Sequence, residues 1–192
     1  MNIEKITEII KKMLPQKRFN HSKNVAKCAF KLADIYNVDK DIAYLAGIAH
    51  DCAKYLTNEE VNYYVYKYEI KLNSIELNNI ALSHSIIGSY IAKYELNIDN
   101  EDILNAIKYH TTGRENMTIL EKVIYMADLI EEDRVFPNVD LLRELAYNGD
   151  IDKALLLSFD NTIKFVIDNN QIIHPRTIDA RNYLLDKNIN NK

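Results

Sequence analysis

The sequence predicts an all-α protein built as a single compact helical bundle. Apolar residues recur three, four and seven positions apart along most of the chain, which is the period of a helix with one buried face. The 192 residues contain only 4 Gly and 3 Pro, and no convincing alternation of apolar and polar residues appears. This scarcity of turn signals favours long helices over many short strands. We expect one domain over residues 1–187, followed by a frayed polar tail at 188–192.

Apolar spacing and end signals give the order of the helices. The first helix is expected at 3–14 and is ended by Pro15, which cannot continue it. The second is expected at 21–36 and the third at 39–54. Thr57 followed by Glu60 forms a capping box that begins a fourth helix, which ends near Tyr68. Later helices are expected at 75–95, 101–110, 118–132, 138–147 and 151–169, with a last one from Arg176 or Thr177.

Composition excludes several classes of partner. The net charge of −4 argues against nucleic-acid binding, which depends on clustered Lys and Arg. The charged start of the chain does not resemble a secretory signal, and no run approaches the ~20 apolar residues of a membrane span. Cys28 and Cys52 show no CxxC spacing and are expected to be free buried thiols. We therefore expect a cytoplasmic protein without a membrane partner, and by default a homodimer.

Titratable residues fall on the apolar faces of several expected helices. The set consists of His21, His50, His84, His110 and Asp128, with Asp51 directly after His50. A lone buried histidine is more often a hydrogen-bonded core residue than a ligand. A buried carboxylate, however, costs several kcal/mol unless it is paired or neutralised. Four histidines with two aspartates therefore indicate a metal site.

The residue types in this set restrict the metal and the reaction. Imidazole and carboxylate without thiolate suit iron, manganese or zinc. Six ligands exceed one tetrahedral site, and a carboxylate such as Asp51 can bridge two ions. Two-metal sites recur in phosphatases and nucleases. We therefore expect hydrolysis of a phosphate ester or anhydride by a metal-activated hydroxide.

Five segments of the chain also carry a family resemblance. They are Arg18-Phe-Asn-His21, His50-Asp51-Cys-Ala-Lys54, Tyr109-His110-Thr-Thr-Gly113, Val123-Ile-Tyr-Met-Ala-Asp128 and His174-Pro-Arg-Thr-Ile-Asp-Ala-Arg181. They resemble the HD superfamily of metal-dependent phosphohydrolases and, more narrowly, the bacterial YqeK family. The resemblance covers about Arg18 to Leu185. It implies an HD-domain fold, iron as the cofactor and symmetrical cleavage of diadenosine tetraphosphate to two ADP.

The resemblance also implies roles for the ligand set. His21, His50, Asp51 and Asp128 would hold a first metal, while Asp51, His84 and His110 would face a second metal or the phosphates. Whether one ion or two are bound stays open. Without a second ion, His84 and His110 would donate to phosphate oxygens, and protonated imidazole would supply positive charge.

Further residues are candidates for phosphate and nucleotide binding. Lys54 lies one helical turn after His50, and we expect its ammonium group to assist catalysis at a bound phosphate. Arg18 and Arg134 can grip phosphate oxygens, although Arg134 follows three acidic residues and a surface salt bridge stays open. A helix start near Thr177 would offer free backbone N–H groups to an anion. The resemblance adds a nucleotide-contacting role for Thr111 and for the residues around His174, which would stack on or bond to the base. The remaining candidates are Asn170, Pro175, Arg176 and Thr177.

Three alternatives to this interpretation stay open. One is an HD enzyme for a deoxynucleotide, a cyclic dinucleotide or a guanosine polyphosphate. Cys52-Ala53-Lys54 after the HD pair disfavours the guanosine polyphosphate enzymes, and the absence of a GYP-type extension after His110 disfavours many cyclic-dinucleotide enzymes. The second is a nucleotide-binding module without turnover. The third is a helical scaffold without a site, which would purify without metal.

Overall fold

The described part of the chain, residues 2–190 of a computed structural model, consists of helices and their connections. No strand occurs in this range, and the all-α prediction is confirmed. The helices are α1 Ile3–Met13, α2 Gln16–Ile35, α3 Lys40–Ala49, α4 Asn58–Lys67, α5 Ser74–Leu77, α6 Ile80–Tyr94, α7 Glu101–Tyr109, α8 Ile119–Ile130, α9 Val139–Tyr147, α10 Ile151–Asp168 and α11 Pro175–Asn190.

Three helix boundaries differ from the prediction. Helix α2 begins five residues early because Pro15, which ends α1, also occupies the N-cap position of α2. Helix α3 ends at Ala49, so that His50 and Asp51 lie in the turns after it. The segment expected as one helix over 75–95 is divided into α5 and α6. The division occurs because the Asn79 side chain accepts a hydrogen bond from the Ala81 N–H and caps a new helix.

The core is formed by α2 and α3 packed against α7 and α8. Helices α2 and α3 approach closely at Gly47, where an added Cβ would lie 2.7 Å from the Cα of Ala26. Helix α6 packs on α7, and α8 contacts α2, α3 and α7. Helices α9 and α10 pack against α8, and α11 packs against α10. Helices α2, α3, α7 and α8 thus meet in one region of the bundle.

A smaller hydrophobic cluster joins α4 to α6. Tyrosines from both helices cover it, and the rings of Tyr68 and Tyr94 stack with their centroids 4.7 Å apart. The ammonium of Lys67 lies 4.9 Å from the Tyr68 ring centroid. The many tyrosines of this region therefore pack on one another at the surface.

The remaining expectations concern the C-terminal tail, the two cysteines and membrane-spanning helices. Helix α11 continues to Asn190, three residues into the expected tail, while residues 191 and 192 lie outside the described range. Cys28 and Cys52 are both buried and unpaired. None of the described helices combines the length and the hydropathy needed to cross a membrane.

Candidate active site

The six ligand candidates come from five parts of the chain and meet between α2, α3, α6, α7 and α8. They are His21 of α2, His50 and Asp51 directly after α3, His84 of α6, His110 directly after α7 and Asp128 of α8. Four are less than 4% exposed, and the side chains of His21 and Asp128 are 12% and 19% exposed. One buried cluster therefore unites residues far apart in sequence.

Asp51 lies at the centre of this cluster, and its two oxygens face different histidines. Its Oδ2 lies 3.4 Å from His50 Nε2 and 3.9 Å from His21 Nε2. Its Oδ1 lies 3.0 Å from His84 Nε2 and 3.6 Å from His110 Nε2. A carboxylate placed in this way can bridge two cations.

Asp128 completes the first of these two groups. Its Oδ1 lies 2.9 Å from His21 Nε2 and 3.8 Å from His50 Nε2. Three overlapping sets of ligand atoms lie within 4.8 Å of one another: His21, His50 and Asp51; His50, His110 and Asp128; and Asp51, His84 and His110. Each set contains two imidazoles and one carboxylate.

The backbone fixes the tautomer of three of these histidines. The Nδ1 atoms of His50 and His110 lie 2.7 Å from the carbonyl oxygens of Gly47 and Ile107, and Nδ1 of His84 lies 3.1 Å from the carbonyl of Ile80. A carbonyl only accepts, so each Nδ1 must carry the proton. Each neutral ring therefore presents the lone pair of Nε2 to the cluster.

These lone pairs meet carboxylate oxygens with no proton between them, which is unfavourable without a cation. Three buried atoms at the centre have no hydrogen-bond partner: His21 Nε2, His50 Nε2 and Asp51 Oδ1. Buried polar atoms of this kind are rare, and a ligated ion would satisfy all three. The donor set therefore fits a divalent transition metal.

The charge states at the centre agree with metal binding. Burial raises the pKa of Asp51, but its contacts with His50, His110 and His84 outweigh burial and hold the pKa well below the usual range. Burial also raises the pKa of Asp128, and its contacts with His21, His50 and Arg134 more than reverse this. Both carboxylates are therefore ionised at neutral pH.

His84 is the exception to the expected charges. Burial lowers its pKa to about 4, against the opposing contact with Asp51, and the charges of His110 and Lys54 lower it further. The ring is neutral near pH 7, and Lys54 Nζ lies 3.3 Å from its Nε2. In the free site His84 therefore carries no positive charge, and its expected role as a donor to phosphate stays a prediction. A neutral His84 offers a lone pair, as a metal ligand does.

Three cations border the cluster. Arg18 Nη1 donates to Asp51 Oδ2 at 2.8 Å, and Arg134 Nη2 donates to Asp128 Oδ1 at 2.6 Å. Burial lowers the pKa of Lys54, although the charge of Asp51 opposes this. Arg134 also donates through Nε to the Asp128 carbonyl at 2.8 Å. The surface salt bridge considered for Arg134 is therefore not its main contact.

Sequence reasoning missed Glu131. Its side chain is buried, and its Oε1 lies 3.0 Å from Nδ1 of His21, while its Oε2 accepts from the backbone N–H of Asp133 at 2.7 Å. Arg143 braces the segment by donating to the Glu131 carbonyl at 2.9 Å. The sequence does contain one feature that could have indicated Glu131: it lies three residues after Asp128, on the same helical face.

The segment before α11 differs from the expectation in two ways. His174 is 5% exposed, its Nε2 lies 3.2 Å from Glu76 Oε1, and its Nδ1 accepts from the Arg176 N–H. Both ring nitrogens of His174 are thus engaged within the protein, and the ring is buried rather than exposed to a ligand. Helix α11 begins at Pro175, and the Thr177 N–H already donates to the His174 carbonyl. The free N–H groups expected near Thr177 are thus partly used.

Arg176 and Thr111 lie near the second group of ligands, whereas Asn170 and Pro175 lie at the surface. The Arg176 guanidinium bonds to Glu76 and lies 5.7 Å from the ring centroid of Tyr109, which directly precedes His110. Thr111 bonds through its hydroxyl to Ser85, the neighbour of His84. Asn170 is exposed and lines an open pocket against α5. Pro175, at the start of α11, is exposed.

Comparison with known proteins agrees with this geometry. Residues 18–133 match the HD domain family. The chain is 41% identical to the symmetrical bis(5'-nucleosyl)-tetraphosphatase of Staphylococcus aureus, over 95% of this chain and 94% of that protein. It is 38% identical to the enzyme of the same name from Bacillus subtilis, over 96% and 98%.

A solved structure extends the comparison to the fold. The crystal structure of a predicted HD superfamily hydrolase involved in NAD metabolism, from Clostridium acetobutylicum, is 47% identical. It covers 97% of this chain and 98% of its own, with a TM-score of 0.93. The family resemblance is confirmed: the chain belongs to the HD-domain family and, within it, to the symmetrical bis(5'-nucleosyl)-tetraphosphatases of the YqeK type.

Proposed function

We propose that this protein hydrolyses dinucleoside tetraphosphates symmetrically, so that diadenosine tetraphosphate and water give two ADP. The observation that carries the proposal is the placement of Asp51, whose two oxygens face two groups of histidines, with cations on both sides. Arg18 and Arg134 border the His21 group, and Lys54 borders the His84 group. A tetraphosphate chain bound across the site at Asp51 would have basic residues on both sides, and these would offset its negative charge.

We propose that the centre holds one or two iron ions, with manganese or zinc as possible substitutes. His21, His50, Asp51 and Asp128 would hold the first ion, and Asp51, His84 and His110 the second. When bound, such ions polarise a phosphate oxygen and provide a hydroxide nucleophile near neutral pH. The unpartnered Nε2 atoms and Asp51 Oδ1 are the feature that supports this assignment.

The chain's own residues supply orientation and charge. Asp51 is placed to accept or orient the proton of the attacking water, because both of its oxygens face the centre. Lys54, Arg18 and Arg134 neutralise charge on the phosphates and on the leaving ADP. Arg18 and Arg134 form ion pairs with Asp51 and Asp128. The two guanidinium groups can bind phosphate only if these carboxylates bind a metal ion instead.

The contacts with the nucleotide are proposed to lie on the His84 side. Thr111, Asn170 and Arg176 border this side, whereas His174, Pro175 and Thr177 shape the turn that presents them. His174 therefore acts by holding the segment against Glu76 rather than by touching the base.

The homodimer and the cytoplasmic location stay predictions. Analytical ultracentrifugation tests the first, and cell fractionation tests the second.

The test is anaerobic incubation of iron-loaded protein with diadenosine tetraphosphate, followed by separation of the nucleotide products. We expect ADP alone. ATP with AMP would place the attack at a different phosphorus and contradict the proposal. If metal is bound and no product forms, the reaction is excluded, and deoxynucleotides and cyclic dinucleotides become the substrates to examine.

One substitution tests the role of the bridging carboxylate. Asp51→Ala removes the oxygens shared by both groups, and turnover should be abolished. Loss of metal in the variant, measured by elemental analysis, would accompany the loss of activity. Near-normal turnover would contradict the assigned role of Asp51.

A further inference from the structure

A second pocket opens directly beside the His21 group, away from the segment that precedes α11. Its volume is about 290 Å³, close to the lower end for small-ligand sites. Three parts of the chain line it: the first turns of α2, the residue after Lys54 and the segment after α8. The lining residues are Lys17, Arg18, His21, Tyr55, Glu131, Asp133 and Arg134.

The pocket combines the aromatic ring of Tyr55 with three basic residues, while its two carboxylates, Glu131 and Asp133, are engaged with His21 and Asn24. The Tyr55 side chain is 56% exposed beside the metal-ligand candidates, although large apolar surface is normally buried. Lys17 is exposed, and it lies one helical turn before His21 on the same face of α2. Together with Arg18 and Arg134 it surrounds the entrance to the metal centre with three cations.

A symmetrical substrate requires two nucleoside sites. Cleavage at the central phosphoanhydride bond fixes that bond at the metal centre, so the two nucleoside diphosphate halves must extend in opposite directions. In the proposed function, one half lies on the side of His84 and His110, near Thr111 and Arg176. His21 is both a ligand candidate and a wall of the 290 Å³ pocket, so this pocket begins where the other half would leave the centre.

Resting on the proposed function, we infer that this pocket binds the second nucleoside diphosphate half of the substrate, with its base stacked on the ring of Tyr55. Lys17, Arg18 and Arg134 bind the phosphates of that half. Exposed aromatic rings beside basic residues recur where proteins bind nucleotide bases without reading their edges, because every base offers a flat face. Tyr55 is then a residue that distinguishes dinucleotides from mononucleotides.

Tyr55→Ala tests the inference with two substrates. Diadenosine tetraphosphate uses both halves of the site, whereas adenosine tetraphosphate carries a single nucleoside. The variant should lower kcat/KM for the dinucleotide about tenfold, within the range of one base–aromatic stack. It should leave adenosine tetraphosphate unchanged within twofold, measured as kcat/KM or, without turnover, as an inhibition constant. Tyr55→Phe should behave as the wild type.

Tyr63→Ala is the matched control. Tyr63 is 55% exposed, almost the same fraction as Tyr55, but lies on α4 outside the pocket. Neither substrate should be affected by it. The inference is overturned if Tyr55→Ala weakens both substrates equally or neither, or if the wild type handles the two substrates equally well. A wild type that forms no ADP from the dinucleotide would instead contradict the proposed function itself.

Discussion

The four site histidines differ in the group that holds Nδ1. In His50, His84 and His110 that group is a backbone carbonyl, whereas in His21 it is the buried carboxylate of Glu131. A carboxylate increases the basicity of the ring that it contacts and fixes its orientation. His21 should therefore be the strongest imidazole donor of the centre.

Glu131→Gln should weaken metal binding by about 10–100-fold, the usual effect of removing such a partner. The amide keeps the size of the side chain but removes its charge. Competition with a chelator of known affinity measures the change. Glu132→Gln is the control, because the Glu132 side chain is 64% exposed and forms a surface ion pair with Lys27 at 3.9 Å. Equal affinities in both variants would contradict the role of Glu131.

His84 makes the stability of the metal-free protein depend on pH. Its folded pKa of about 4 lies below the ordinary histidine value of 6.5. A group with a depressed folded pKa contributes stability that is present above about pH 6.5 and lost as the pH falls toward 4. The free energy of unfolding should therefore decline across this window, with a slope of at most about 1.4 kcal/mol per pH unit from this group.

Urea unfolding between pH 7 and 5 measures this decline in wild type and in His84→Gln. The variant should show a shallower dependence. Asp51 and Asp128 add to the decline only below about pH 5, where their carboxylates begin to protonate in the unfolded chain, so the comparison of the two proteins is made between pH 7 and 5. Parallel curves for the two proteins would rule out the assignment to His84.

At the scale of the helices, the contact between α2 and α3 brings His21 to His50. A Cβ on Gly47 would lie 2.7 Å from Ala26 Cα and 3.0 Å from Ala26 N, and backbone atoms cannot turn aside as a flexible side chain can. The Gly47 carbonyl also accepts from His50. Packing of these two helices and orientation of a ligand thus depend on the same residue.

Gly47→Ala should destabilise the fold by about 1–3 kcal/mol, as overpacking does. It should also lower metal affinity by displacing His50. Gly88→Ala is the matched control, because its Cβ would meet only side chains at ordinary contact distances: Cys52 Sγ at 3.4 Å, and Ala53 Cβ and Ile107 Cγ2 at 3.6 Å. That variant should be neutral or stabilised, since alanine favours a helix by about 1 kcal/mol over glycine. Denaturant unfolding compares the two, and equal losses would refute the steric argument.

Helix positions were largely predictable from the sequence because each amphipathic face follows the helical period. The boundary at Asn79 was missed because apolar residues continue in phase from Leu77 through Ile80, which conceals the break. The early start of α2 was missed for a different reason. Pro15 ends α1, and its fixed φ also suits the beginning of the next helix, so the same residue marks both boundaries.

At the scale of the molecule, the ligand types were predictable from their placement on apolar faces, but their mutual arrangement was not. That Asp51 divides its oxygens between two histidine groups depends on how α2, α6, α7 and α8 cross. The pairing of His174 with Glu76 joins residues 98 positions apart. Nothing in the local sequence around His174 distinguishes this buried pair from an exposed loop histidine.

Removal of the metal should destabilise the whole bundle, because the ligands come from five separate parts of the chain and the ion would link them. An ion at 100 times its dissociation constant contributes about 2.7 kcal/mol, and for a chain of this size each kcal/mol shifts Tm by roughly 2–4 °C. Chelation should therefore lower Tm by roughly 5–10 °C in calorimetry. His50→Ala should show no metal-dependent shift, and a wild type without one would contradict a structural contribution of the ion.

The spread of the ligands from His21 to Asp128 also sets an order of events during biosynthesis. At about 5–20 residues per second, the ribosome exposes the first histidine several seconds before the last aspartate has been added. No nascent chain that ends before α8 contains the complete first group, and the brace from Arg143 arrives later still. Capture of the ion is therefore a late step, and the release of most of the chain from the ribosome precedes the maturation of the enzyme.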